Sequence, residues 1–187
     1  MRNNLCKSMT VISIIFIPIL FCCASTQEKQ SEPRDAKAYY NRGYAYGEKG
    51  QYDQAISDYN KALEIDPKFA AAYNNRGIAY RQKGQHDQAI SDYNKALEIN
   101  SRYAKAYNNR GYAYGKKRQY DQAISDFNKA LEINPRDAWA YNSRGVAYYF
   151  KKEYDKSWED VKKAQNLGYQ VSPKFLDDLF KASGRKK

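Results

Sequence analysis

A 34-residue period constrains this chain more than anything else in it. Residues 52–65 read YDQAISDYNKALEI, residues 86–99 HDQAISDYNKALEI and residues 120–133 YDQAISDFNKALEI, while Gly43, Gly77, Gly111 and Gly145 recur at the same interval. A fixed period of this length marks stacked supersecondary units, none of which can bury its apolar face without a neighbour. Each unit divides into two helical stretches. In the second unit Tyr73, Gly77 and Tyr80 fall four and three residues apart, on one helical face. Gly84 and Gln85 interrupt the pattern, and Ala89, Ile90, Tyr93, Ala96 and Leu97 then mark the buried face of a second helix. Asp87 lies in the first turn of that helix, where the dipole favours an anion. Pro67 and Pro135 stop the second helices of their units, because proline clashes with a continuing helix. Ser101 stands at that place in the second unit, which predicts a looser turn there.

The run Tyr73, Gly77, Tyr80, Ala89, Tyr93, Ala96 resembles the tetratricopeptide repeat consensus, and the likeness extends over residues 36–167. The physical logic agrees with it: small residues let two helix axes approach, and aromatics fill the spaces between them. The resemblance implies an all-α fold, a right-handed α-solenoid of four helix pairs over residues 36–69, 70–103, 104–137 and 138–171. The first helix of each pair would line a concave face. The fourth unit has drifted, with Ser157, Trp158 and Val161 where the others carry Ala, Ile and Tyr or Phe. A terminal unit is packed on one side only, so such drift is expected there. Ser172 and Pro173 form an N-cap and first-turn proline, and Phe175, Leu176, Leu179 and Phe180 an apolar stripe closed by Gly184. Residues 172–187 thus read as a capping helix (173–182) and a basic tail.

The N-terminal residues have a different character. Arg2 and Lys7 precede an almost unbroken apolar run over residues 9–21, and Cys22-Cys23-Ala24-Ser25 follows. A basic head, a short apolar run and a small-residue exit form the pattern of an export signal over residues 1–22. A spanning helix usually needs ~20 apolar residues, which disfavours permanent insertion. Leu20-Phe21-Cys22-Cys23 resembles a bacterial lipobox with Cys23 as the acylated residue, although Phe21 and Cys22 depart from the usual small residues. Cleavage after Ala24 and an uncleaved anchor are the alternatives. Residues 23–35 are polar and aperiodic, as a tether would be. The expected place is therefore the bacterial cell envelope, lipid-anchored and facing the periplasm or exterior, or else soluble and exported.

Two positions depart from the family pattern. Where tetratricopeptide units commonly carry leucine before the glycine, this chain has Arg42, Arg76, Arg110 and Arg144, and its second helices repeat Asp58, Asp92, Asp126 and Asp160. Either each arginine lays its stem along the core and pairs with its own unit's aspartate, or both face solvent and the aspartate pairs locally, as Asp92 with Lys95.

Little in the body of the chain could support catalysis. All three cysteines (Cys6, Cys22, Cys23) precede the repeats, and the single histidine, His86, stands where the other units carry Tyr52, Tyr120 and Tyr154. Neither a catalytic constellation nor a metal or cofactor site is expected. Most of the 19 tyrosines occupy repeat positions that packing already demands.

Binding is the better expectation. Family geometry would place Lys37, Tyr40, Asn41 and Tyr44 of the first unit on the concave face, with Ala71, Asn74, Asn75, Ile78 and Arg81 of the second. It would add Lys105, Asn108, Asn109, Tyr112 and Lys116 of the third unit and Trp139, Asn142 and Val146 of the fourth. Asn41, Asn75 and Asn109 recur one repeat apart, similar to the asparagine ladder in the tetratricopeptide arm of the O-linked N-acetylglucosamine transferases. Such a ladder can hold the backbone of an extended peptide, unless asparagine merely suits the repeat at that place. Lysine and arginine bias the groove towards acidic ligands. The co-chaperone clamp for acidic tails is incomplete here, because asparagine occupies most of its places. The expected function is a non-enzymatic protein-interaction scaffold, laid out like bacterial tetratricopeptide lipoproteins. The net charge of +11 allows a second reading, a surface that binds acidic glycans or nucleic acid, and open repeat edges allow homo-oligomerisation.

Overall fold

A computed structural model describes residues 35–185. The expected signal segment, Cys23 and nearly all of the tether lie outside the described residues. Within them the chain forms four antiparallel helix pairs and a ninth helix. The pairs are α1 (Ala36–Glu48) with α2 (Tyr52–Ile65), α3 (Ala70–Gln82) with α4 (His86–Ile99), α5 (Ala104–Lys116) with α6 (Tyr120–Ile133), and α7 (Ala138–Phe150) with α8 (Tyr154–Asn166). Each pair packs on the next, so the fold is an all-α solenoid. Asp35, assigned to the tether from sequence, is the N-cap of α1: its Oδ1 accepts from the Ala38 N–H at 2.7 Å.

The glycine before each helix crossing sets how closely a pair approaches. A Cβ on Gly77 would lie 2.6 Å from the Tyr93 ring, and one on Gly111 3.0 Å from Phe127. Tyr93 is fully buried against Ala89 and Ala113, with Ile78, Tyr80 and Ile90 around it. Inside each pair the chain turns through a left-handed residue: Gly50 (φ 72°) and Gly84 (φ 76°), but Arg118 (φ 60°) and Lys152 (φ 63°) in the third and fourth units. The turn that Ser101 was expected to loosen is not loose. Asn100 Oδ1 accepts from the Arg102 N–H at 3.0 Å, just as Asp66 Oδ1 accepts from Lys68 at 2.9 Å. The side-chain acceptor holds this turn whether proline or serine follows it.

The arginine–aspartate pairing is the cross-helix one. Arg42, Arg76, Arg110 and Arg144 each make a two-pronged bond, through Nε and one terminal nitrogen, to Asp58, Asp92, Asp126 and Asp160 at 2.6–2.8 Å. All four aspartates are buried. Lys95 pairs instead with Glu98. The free prong of Arg76, Arg110 and Arg144 reaches back to the preceding unit and donates to Asn60, Asn94 and Asn128, each at 2.6 Å. Each of these three guanidinium groups therefore bolts together three helices. Burial alone would lower their pKa, but the hydrogen bond and charge of the partner aspartate outweigh it and raise all three. In the fourth unit Lys162 takes the place of the acceptor asparagine, and Asp178 stands one repeat after Arg144.

A second, exposed tie also runs from unit to unit. Asp53 pairs with Lys83, Asp87 with Lys117 and Asp121 with Lys151. Asp155 continues the series with Arg185, at the same 30-residue separation as the first two pairs. Helix α9 (Pro173–Ser183) thus stands in the register of a fifth first helix. It covers α8 with Leu179, fully buried, and with Phe180 edge-on to Trp158 at 4.5 Å. Trp158 Nε1 donates to Ser183 Oγ at 3.1 Å. Ser172 occupies the N-cap position but its side chain makes no capping bond, so Pro173 alone marks that start.

Candidate functional site

The first helices α1, α3, α5 and α7 line a groove of about 500 Å³. Nine of the residues expected there do line it: Tyr40, Tyr44, Asn74, Asn75, Ile78, Lys105, Asn108, Asn109 and Trp139. Tyr112, Lys116, Asn142 and Val146 instead line an adjoining pocket of about 270 Å³ between the third and fourth units. Arg81 lies beside it, its guanidinium 5.0 Å from the centre of the Tyr112 ring, and Lys116 Nζ is 5.2 Å from that centre. Lys37 and Asn41, exposed on α1, and Ala71 on α3 line neither cavity.

The asparagines form a ladder, but much of it is spent on itself. Asn75 Nδ2 donates to Tyr40 Oη at 3.0 Å and Asn74 Nδ2 to Asn75 Oδ1 at 3.0 Å. Asn109 Nδ2 donates to Asn74 Oδ1 at 2.9 Å. These bonds knit α1, α3 and α5 together, so these amides are chiefly part of the groove floor. The cause is burial: Asn74 is 3% exposed and Asn108 7%, and a buried amide needs partners. The ladder runs diagonally, from the second asparagine of one unit to the first of the unit before. The recurring Asn75 and Asn109 are thus linked through Asn74 rather than directly.

The pattern changes at the third unit. Asn108 Nδ2 donates to Asp137 Oδ2 at 2.6 Å, while Asp137 Oδ1 caps α7 through the Ala140 N–H at 3.0 Å. The carboxylate can only accept, which fixes the orientation of the Asn108 amide. Ser143 replaces the next asparagine of the ladder, and Asn108 Oδ1 is left buried without a hydrogen-bond partner among the described residues. Lys105, on the same helix, is exposed and lines the same groove.

Two lining residues were missed from sequence, Tyr103 and Asp137. They share one repeat position with Asp35 and Phe69, the residue immediately before each first helix. That 34-residue recurrence is the signal that could have found them. Burial pushes the Tyr103 phenol above its ordinary pKa. Among the described residues no three His, Cys, Asp or Glu side chains gather as a metal site, and no helix is long and apolar enough to cross a membrane.

Models of the tetratricopeptide repeat match residues 36–69 and 104–137 and, in a second variant, 58–91 and 127–159; a further TPR-repeat model matches 77–118. No curated protein matches the chain. Among solved structures, the chain is similar to MamA (29% identity, TM-score 0.69, 73% of this chain and 80% of that one). It is also similar to the first TPR of Spaghetti (RPAP3), solved bound to the HSP90 peptide SRMEEVD (31% identity, TM-score 0.61, 62% of this chain and 91% of that one). A MamA RS-1 double mutant (23% identity, TM-score 0.72, 81% and 85%) shares the fold.

Proposed function

The chain belongs to the tetratricopeptide repeat family, and we propose that it is a non-enzymatic scaffold whose concave groove holds an extended, acidic segment of a partner protein. The observation that carries this reading is the groove at the third unit. A buried, unpartnered acceptor (Asn108 Oδ1) and an exposed cation (Lys105) on α5 share the groove with the half-exposed ring of Tyr44 on α1. A backbone N–H fits the first, a carboxylate the second and an apolar side chain the third. The peptide held by the RPAP3 repeat, SRMEEVD, is acidic as well.

Lipid attachment at Cys23, downstream of a cleaved signal, would tether this groove to a bacterial membrane through the polar segment 24–34; the lipobox-like Leu20-Phe21-Cys22-Cys23 supports this. Intact-mass measurement of the mature protein checks it, and an unmodified N-terminus at Ser25 excludes it.

Partner capture from intact cells tests the groove, with wild-type bait against Tyr44→Ala/Lys105→Glu. Both side chains are exposed, so the fold is expected to persist. Loss of specific proteins from the variant is expected. Equal recovery with both baits would rule the groove out, and capture that collapses between low and moderate salt for both would point to polyanion binding instead.

A further inference from the structure

Gly115 is a glycine that folding does not explain. It lies in the last turn of α5, and a Cβ there would meet nothing within 4 Å. One turn earlier, a Cβ on Gly111 would press on Phe127 and the Ala123 backbone at 3.0–3.1 Å. Glycine is the poorest helix former after proline, so an open helical glycine weakens α5 without relieving any clash. What it does is leave space, since Gly115 lines the pocket between the third and fourth units. The repeat itself supplies the control. Arg81 occupies the same place one unit earlier, with its Nε buried and its guanidinium laid against Tyr112. Gly47, one unit earlier again, borders a smaller pocket of about 140 Å³.

We infer that the Gly115 pocket seats an aromatic side chain carrying a hydrogen-bond donor, tryptophan or tyrosine, from an acidic segment of a partner protein. Its walls are Tyr112, Tyr120, Phe127, Trp139, Val146 and Phe150. Phe127 and Trp139 meet edge to face at 6.0 Å, and Tyr120 and Phe150 are stacked at 5.2 Å. Phe150 is 54% exposed, an apolar ring at the rim that folding leaves to water. Asn142 Oδ1 is buried in the wall without a partner among the described residues, and an indole N–H or phenol O–H satisfies it. Lys116 and Arg81 flank Tyr112, so the mouth repels the ammonium groups that aromatic boxes otherwise attract and draws carboxylates.

This inference rests on the concave face being the binding face, and its test is separable from that of the groove. Full-length ¹⁵N-labelled protein is titrated with N-acetyltryptophan, N-acetylphenylalanine and N-acetylalanine, following the Gly115 backbone and Trp139 indole N–H signals. N-acetyltryptophan is expected to give saturable shifts, N-acetylphenylalanine to bind about fivefold more weakly for want of the donor, and N-acetylalanine to give none. Gly115→Arg, which copies the Arg81 arrangement, is expected to abolish the shifts, and Gly115→Ala to keep them. The inference is overturned if N-acetylalanine matches N-acetyltryptophan, if Gly115→Arg titrates like wild type, or if the pocket signals move with protein concentration alone, as a second copy in the pocket would cause. Seating of N-acetyltryptophan without any effect of Tyr44→Ala/Lys105→Glu on partner capture would refute the groove and leave the pocket standing.

Discussion

Replacing Gly77 by alanine sets two effects of opposite sign against each other, and the structure decides between them. Alanine is the better helix former by ~1 kcal/mol. Its Cβ, however, would sit 2.6 Å from Tyr93 Cε1 and 3.0–3.1 Å from two further ring atoms. Tyr93 is 0% exposed, so its ring cannot swing into solvent, and the α3–α4 pair must open instead. Overpacking of this kind costs ~1–3 kcal/mol and occasionally more. A 2.6 Å contact with a ring that cannot move belongs at the upper end of that range, ~2–3 kcal/mol, so the expected net loss is about 1–2 kcal/mol, a fall of roughly 2–8 °C in melting temperature for a chain of this size. Two other glycines calibrate the result. A Cβ on Gly145 meets nothing closer than 3.3 Å, so Gly145→Ala should lie within ~0.5 kcal/mol of wild type. Gly115→Ala meets nothing at all and should gain up to ~1 kcal/mol. Circular dichroism at 222 nm during heating reads all three. A Gly77→Ala protein that melts at or above Gly145→Ala would refute the reasoning.

Other perturbations follow from the same geometry. Arg110→Met strands the buried Asp126 carboxylate and should cost about 3–5 kcal/mol in urea unfolding. Lys117→Met breaks only an exposed pair and should cost no more than ~1 kcal/mol, so equal losses would count against the bolt. Arg118→Gly relieves a left-handed backbone at a position where the first two units use glycine, and should raise the melting temperature by an amount equivalent to ~1 kcal/mol. Burial holds the Tyr59 and Tyr93 phenols above their ordinary value of 10. Their contribution to stability is intact below the unfolded-state value and is lost as pH rises above it, because the unfolded chain ionises first. Unfolding midpoints should therefore fall from pH 10 upwards, and a Tyr93→Phe variant should show a shallower fall.

The period made the helices, their crossings and the arginine–aspartate pairs legible, because both partners of each pair belong to one unit and recur together. What escaped notice involves neighbours. Asn60, Asn94 and Asn128 look like ordinary helix-surface residues until the next unit's arginine arrives, and the Asp53–Lys83 series is invisible until stacking brings the two helix ends together. Recurrence also shows that an amide is present without showing whether its hydrogen bonds are spent. Asn75 and Asn109 recur as expected, yet one amide nitrogen serves Tyr40 and the other Asn74. An unspent acceptor in the groove wall, Asn108 Oδ1, exists because Asp137 and Ser143 break the pattern. Binding chemistry here lies where the repeats stop being identical, which a consensus reading averages away.

The register of α9 bears on how such a chain can change length. Arg185 meets Asp155 as Lys83 meets Asp53, so the final helix keeps the exposed tie that joins any unit to the one before it, without the buried guanidinium bolt. Deleting or duplicating one whole 34-residue unit between α1 and α8 leaves every junction, the last included, with a partner it already knows how to receive. Array length is thus decoupled from the cap, and the groove can be lengthened or shortened one unit at a time without redesigning either terminus.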